Sequence, residues 1–304
     1  MTIQISEFAD SHLSAIVRLL NEEYRGSFEF IPFSDERVLS QVRRRNIKIL
    51  LAEEDGKLLG LIGTHPEERG EEHISWLTAS EGPNHRMIEN MLVGEVEKNA
   101  EGDTISTTVD EGSPRIKDWT SRGYTLNPGW LRMSAKLEGP RPIPKVADGV
   151  KLRSLRQGEE ERLVEVMNVG FGWQRLEPGF LEKWKFEDPP FSEEWVQVAE
   201  VDGNLVSSVV AKPDTDYMRF LNLKRGYLGP AATLPEFRNI GLASALTAQA
   251  MNFLSNEGMN SVRLGTSEQN ASSIAILRGL GFNVDVVRKI LRKKLKDAQA
   301  SNSN

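Results

Sequence analysis

The sequence predicts a mixed α/β protein, α and β elements sharing one mixed sheet per domain, made of two tandem copies of one fold. Three observations predict it. The chain has 304 residues, and a domain usually runs roughly 100–200. It repeats itself: "IQISEFADSHLSAIVRLLNEEY" from Ile3 matches "VKLRSLRQGEEERLVEVMNVGF" from Val150, and "ILLAEEDGKLLGLIG" from Ile49 matches "VQVAEVDGNLVSSVV" from Val196, at one constant offset. Between the copies, "EGPRPIPKVADG" from Glu138 carries three prolines, which favour extended backbone. The expected organisation is therefore a first domain over 1–139, a linker over 140–149, a second domain over 150–296 and a flexible tail over 297–304.

Each half reads strand, helix, helix, strand, strand, strand, helix, strand, helix, strand. Each opens on a short alternating segment followed by apolar residues at helical spacing. The next pair of strands is a hairpin, because Asp55-Gly56 and Asp202-Gly203 each sit between two apolar runs. "HISWLTAS" from His73 and "GYLGPAAT" from Gly226 are the following strands. The helices after them are "EGPNHRMIENMLVGEVEKNA" from Glu81 and a segment with Leu242, Leu246, Ala250, Phe253 and Leu254 in register, closed at Glu257-Gly258. "SVRLGT" from Ser261 is the next strand of the second half. "RIKDWTSRGY" from Arg115 then matches "SIAILRGLGF" from Ser273, and "WLRMSAKL" from Trp130 matches "RKILRKKL" from Arg288, at a longer offset. The second half thus carries an insertion, and "KPDTDYMRFLNLKRG" (212–226) is its natural place. Strands joined by hairpins are antiparallel, and those joined through a helix are parallel.

Composition narrows the function. Lys and Arg total 38 against 44 Asp and Glu, a net charge of −6, which gives no reason to expect a nucleic-acid partner. The basic run from Arg288 to Lys296 reads as a solvated strand edge sooner than a phosphate contact. There is no cysteine, so disulfides, a thiol nucleophile and the usual structural zinc sites are excluded. His12, His65, His73 and His85 are scattered through the first third and read as structural, with no metal site. No apolar run approaches the roughly 20 residues of a membrane helix, and "MTIQISEFAD" has no basic-then-apolar leader. The expectation is a cytoplasmic protein without a membrane partner.

The most informative stretch is "TLPEFRNIGLASALTAQAM" from Thr233. The first turn of a helix leaves backbone N–H groups without partners, and they carry partial positive charge. A loop entering such a turn can take a phosphate. Gly241 and Ala243 are small enough to let one approach, and Arg238 would add a cation. The same small residues would also suit a helix packed closely on a sheet. Further along, Asn270 can cap the last helix, and Gly281 marks its end.

These residues carry a resemblance. Pro235, Arg238, Gly241 and Ala243 opening a helix, then a strand, Asn270, and Gly281-Phe282 after a short helix resemble the GCN5-related N-acetyltransferases (GNAT). The tandem arrangement is similar to that of the mycothiol synthases. The detailed match covers about 226–283. The resemblance implies two tandem GNAT-like acyl-CoA N-acyltransferase domains and acetyl transfer from acetyl-CoA to an amine. It implies that the backbone of Ala231, Ala232 and Thr233 pairs with the pantetheine arm. It implies that Arg238, Asn239, Ile240, Gly241, Leu242 and Ala243 hold the pyrophosphate, and that Asn270 contacts the cofactor.

The catalytic groups are poorly marked. Many relatives place a tyrosine seven residues after the asparagine as the acid; here that position is Leu277, and its mate in the first half is Trp119. Tyr227, Tyr217, Ser272, Ser273 or water are the substitutes for the acid. Glu268 is the candidate base, and Asp214 and Asp216 in the insertion offer charge for a cationic amine. Phe171, Trp173, Phe180, Trp184, Phe186 and Phe191 crowd the segment that lines the acceptor site in this fold, or pack as core. The acceptor is a small-molecule or peptide amine; the rival reading is a non-catalytic acyl-CoA-binding sensor or scaffold.

The first half serves as a control. "THPEERG" from Thr64 imitates the phosphate loop but leads into a strand. The true counterpart places Pro83, which has no N–H, where Gly241 stands, and Gly112 where Asn270 stands. The first domain is expected to keep the fold without ordinary CoA binding.

Overall fold

The computed structural model describes residues 2–67, 70–185 and 191–295. Phe186 and the tail after Leu295 therefore lie outside the described residues. The first half forms β1 (Gln4–Glu7), α1 (Leu13–Tyr24), α2 (Asp35–Arg45), β2 (Lys48–Glu54), β3 (Lys57–Pro66), β4 (Glu71–Ala79), α3 (His85–Asn99), β5 (Thr104–Asp110), α4 (Arg115–Ser121) and β6 (Thr125–Lys136). The second forms β7 (Val150–Ser154), α5 (Glu160–Phe171), α6 (Phe180–Trp184), β8 (Val196–Val201), β9 (Asn204–Pro213), α7 (Thr215–Leu221), β10 (Arg225–Thr233), α8 (Leu242–Asn256), β11 (Ser261–Ser267), α9 (Ala271–Gly279) and β12 (Asn283–Lys294). The order is the one read from the sequence, and the insertion is α7.

Two compact units result, 1–129 with 286–304, and 130–285. Unit 1 has strand order β1-β2-β3-β4-β5-β12, and unit 2 has β6-β11-β10-β9-β8-β7. In each, the hairpin strands are antiparallel, and the helix-joined pairs β4–β5 and β10–β11 are parallel; β9 and β10 are joined through the inserted α7 and are nevertheless antiparallel, like their counterparts β3 and β4. The last strand of each half is built into the sheet formed by the other half: β12 pairs with β5 from Arg288 to Lys294, and β6 pairs with β11 from Trp130 to Lys136. The basic run on β12 is consequently not a solvated edge. Arg288 meets Asp110 at 2.9 Å, Lys289 meets Glu111 at 3.2 Å, Arg292 meets Glu71 at 3.1 Å and Lys293 meets Glu97 at 2.6 Å.

Alternation along the strands divides the core. In unit 1, Leu51, Leu61 and Trp76 pack against Ile16, Leu19 and Leu20 of α1, while Ala52, Ile62 and Ile74 pack against Ile88, Leu92 and Val93 of α3. In unit 2, Val196, Val198 and Val210 pack against Leu163, Val166 and Met167 of α5. Both hairpins turn through two residues at positive φ, Asp55 (49°) with Gly56 (75°) and Asp202 (48°) with Gly203 (80°), the pair of angles that matches strand twist.

The repeat extends to single hydrogen bonds. Asn21 takes the Phe33 N–H at 2.8 Å and donates to the Phe33 carbonyl at 3.0 Å. Its mate Asn168 takes the N–H groups of Arg175 and Leu176, both at 2.8 Å, and donates to the Leu176 carbonyl at 2.9 Å. One residue type thus pins the loop after the first helix in both halves. The linker is pinned too: Arg141 and Asn252 exchange two bonds of 2.9 Å, and the Arg141 guanidinium donates to the Leu280 carbonyl at 2.6 Å.

His65 and His73 stack edge to face at 5.3 Å, with Ser75 and Glu67 on the ring nitrogens of His65 and Ser106 on His73. They are structural, as their scatter suggested. Burial pushes the His73 imidazole down to about 4. The unfolded chain takes a proton near pH 6.5 and the folded chain does not, so stability is full above that pH and falls toward pH 4. The loss is about 3 kcal/mol at most. Urea unfolding at pH 7 and at pH 4.5 checks this: wild type loses stability between the two, and His73→Gln loses less.

Candidate functional site

The site begins where a parallel strand pair comes apart. β10 and β11 are paired at Arg225, Gly226 and Tyr227 against Ser261, Val262 and Arg263. Beyond that row, β10 bulges between Leu228 and Ala231 and stays with β9, while β11 stays with β6 as far as Ser267. Successive residues of a strand turn their N–H and C=O to opposite sides. The Leu234 N–H bonds Val206 in β9, and the Ala232 carbonyl takes the Ser207 hydroxyl at 2.9 Å, so these even positions face β9. Ala231 and Thr233 then face the gap. The Thr233 carbonyl takes the Arg238 Nε–H at 3.3 Å, which leaves Ala231, exposed, as the residue offering its main chain to the split.

At the open end the chain turns through Pro235–Phe237 and enters α8. Asn239 has φ 63° and Gly241 φ 87°. A Cβ on Gly241 would meet nothing within 4 Å. Its smallness therefore serves the left-handed backbone and the open space above it, not packing. The packing glycines are elsewhere: a Cβ on Gly226 would come within 2.5 Å of Leu254 on α8. The first turn of α8 has no acidic residue and no side-chain cap, whereas α2 and α5 each carry two acids there. The positive end of α8 is thus not neutralised by its own side chains. Ile240 stands 46% exposed beside it, and Leu242 is buried. Ala243 follows in the first turn.

Arg238 is placed differently from a free phosphate-seeking cation. Its Nη2 donates to the Gly170 carbonyl at 2.7 Å, tying the last turn of α5 to the turn before α8. Gly170 permits this approach, since a Cβ there would lie 2.9 Å from the Ala232 side chain. Nothing in the sequence separates Gly170 from an ordinary helix-ending glycine, so the link was not legible. Asn270 caps α9 as read, its Oδ1 taking the Ser273 N–H at 3.1 Å.

One candidate is corrected. Asp214 does not await an amine; it lies between Arg225 at 2.9 Å and Arg263 at 2.7 Å, both guanidiniums stacked on Tyr217. Burial pushes its carboxyl up, and the two arginines oppose that. Asp216 is exposed in the first turn of α7. Trp184 and Phe191 are core residues, with Phe171 and Phe180 packed on the same cluster. Arg175 caps the outer aromatics, 4.4 Å from the Phe171 ring and 5.7 Å from Trp173. Leu277 and Trp119 are 6% and 2% exposed, so both occupants of the acid position are core. Tyr227 is half-buried, its hydroxyl 4.0 Å from the place a Cβ would take on Gly229. It therefore reaches along β10 toward the split. Glu268 is half-buried in the turn after β11. No group of three His, Asp or Glu suited to a metal occurs among the described residues, and no helix among them is long and apolar enough to cross a membrane.

In unit 2 a mixed sheet thus parts beside a helix N-terminus that carries no acid in its first turn. Comparison with known proteins bears on the same segment: the family described as Acetyltransferase (GNAT) matches residues 157–282. Two similar relatives are mycothiol acetyltransferases. The one from Thermobispora bispora is 26% identical over 61% of this chain and 69% of its own length. The one from Frankia casuarinae is 29% identical over 50% of this chain and 46% of its own length, so the match spans less than half of that relative. In fold, the chain is similar to a tandem GNAT protein from the clavulanic acid biosynthesis pathway, with TM-score 0.69, 14% identity, and 97% and 99% of the two chains covered. The tandem organisation is thus that of a known architecture.

Gly241→Ala tests the turn. It adds a Cβ in open space at positive φ, and the expected result is a loss of about 1 kcal/mol in chemical denaturation from backbone strain alone.

Proposed function

We propose that the chain transfers the acetyl group of acetyl-CoA to a primary amine, with unit 2 as the active unit. The observation that carries this is the parting of β10 from β11 with the Ala231 main chain turned into the gap and the open turn of α8 at its end. A pantetheine arm would add to β10 as a short strand at Ala231, and the backbone from Arg238 to Ala243 would receive the pyrophosphate. Asn270, at the head of α9, would border the cofactor. The relatives' name favours a small-molecule acceptor over a protein terminus.

Strand geometry favours one of the two catalytic candidates. From Thr233 back to Tyr227 is six residues, roughly 20 Å of extended chain. With the pyrophosphate at the α8 turn, the thioester falls at the Tyr227 end, where the strands meet. Glu268 lies five residues beyond Arg263, roughly 16 Å along β11, toward the pyrophosphate end. Tyr227 is therefore the proton donor. The amine nitrogen forms the new bond to the acetyl carbon, the carbon–sulfur bond breaks, the Tyr227 hydroxyl protonates the departing sulfur, and water carries off the amine proton.

Calorimetry with acetyl-CoA is expected to show binding to wild type and none to Gly241→Glu, whose carboxylate would occupy the open space above the turn. Unaltered affinity in the variant would displace the cradle. Once an amine substrate is found by free-thiol release, Tyr227→Phe is expected to lower kcat about 100-fold at unchanged acetyl-CoA affinity. Glu268→Gln should leave the pH–rate profile in place, and a shifted profile would restore Glu268 as base.

A further inference from the structure

Unit 1 contains the same parting of strands. β4 and β5 are parallel from Glu71 to Ile74 and from Thr104 to Thr107. Past that row β4 stays with β3 and β5 with β12. The repeat fixes which residues correspond. Ile62 and Val209 are mates in the third-strand alignment, and they pair with Leu77 and Ala231 respectively. The Ser80 N–H bonds Leu59 as the Leu234 N–H bonds Val206. Leu77 therefore holds in unit 1 the place of Ala231 in unit 2, with its main chain turned into the gap.

The two places differ in what meets them. The Leu77 N–H donates to the Tyr24 hydroxyl at 3.1 Å, and the Leu77 carbonyl accepts from Arg115 Nη2 at 3.2 Å. Arg115 is held by Glu89 at 2.6 Å and faces Glu23 at 3.7 Å. Glu89 is 1% exposed and also takes Arg122 at 2.7 Å, with His85 at 3.5 Å. Two arginines thus balance two glutamates around the gap, and burial pushes the Tyr24 phenol up to about 12, so it stays neutral. The mates of the two closing residues are Phe171 and Ser273. Phe171 has no hydroxyl, and Ser273 has no side chain long enough to imitate Arg115. The mate of Glu89 is Thr247, whose hydroxyl bonds its own helix at 2.7 Å.

We propose that unit 1 is a self-closed copy of the cleft, in which Tyr24 and Arg115 hold the two main-chain groups that acetyl-CoA takes at Ala231 in unit 2, so that each chain binds one acetyl-CoA. This rests on the reading of Ala231 given above. It locates the loss of binding in the interior of the first domain, beyond its altered phosphate turn at Pro83. Restoring that turn alone would not restore a site, because the gap is already filled by a charge-balanced cluster.

Amide hydrogen exchange on the full chain tests it without ligand. The Leu77 amide is expected to exchange slowly in wild type and at least 10-fold faster in Tyr24→Phe, which installs the residue type of unit 2. Ala231 is expected to exchange fast. Equal protection of Leu77 in wild type and Tyr24→Phe, with the variant folded by circular dichroism, overturns the proposal. With saturating acetyl-CoA, slowing at Ala231 with no change at Leu77, and one equivalent bound per chain, is the expected result. Two equivalents, or one retained by Gly241→Glu, overturns it. Absence of any binding removes the proposed function instead, and the ligand-free exchange at Leu77 still decides whether the cleft is closed.

Discussion

A peptide group taken from water must find a hydrogen-bond partner, and both units part a strand pair where that rule bites. Once β10 leaves β11, and β4 leaves β5, the main chain on one side of each strand has no neighbouring strand to bond. Unit 1 answers with its own side chains, Tyr24 and Arg115 on Leu77. Unit 2 leaves Ala231 exposed. The same backbone path therefore yields an edge bonded by side chains in one place and an exposed one in the other. The difference lies in two side chains far from the strand in sequence.

The turn before α8 is built on the same economy of groups. Gly241 supplies the left-handed angle that lets α8 start without a capping side chain, and open space lies above it. Arg238 is occupied with the carbonyls of Gly170 and Thr233. Its charge still adds to the potential over the turn, since a guanidinium bonded to neutral carbonyls keeps its full charge. Its donors, however, fix the end of α5 and the end of β10 relative to the turn. The loop that follows α5, clamped by Asn168, is thereby attached to the turn before α8 through one residue.

Much of this was legible in the sequence because it rests on local rules. Period-two and helical spacing, Asp-Gly hairpins, and the offset between halves gave the element order and the insertion that became α7. Asn270 was readable as a cap because capping is a three-residue affair. What was not legible depends on contacts between distant segments. The passage of β12 to β5 and of β6 to β11 cannot be read from alternation, which says that a strand exists and not what it pairs with. The Asp214 ion cluster needed the ends of β9, β10 and β11 side by side. Leu277 was visible as a departure from the usual acid, but only burial shows that the position has become core.

The strand pairing also sets the walls of the split in unit 2. Unit 2 closes its sheet with residues 130–136, which precede the linker, and unit 1 gains residues 286–294 from the end of the chain. Each contact unit thus contains a strand from the other half. β11 is the inner wall of the split, and its other edge is satisfied by β6 along its whole length, Ser261 to Ser267. Without β6, that edge would compete with β10 for any added strand, and the cleft would have no fixed wall to open against. The first half, where Tyr24 and Arg115 bond the Leu77 main chain, thus also supplies the strand that satisfies the far edge of β11.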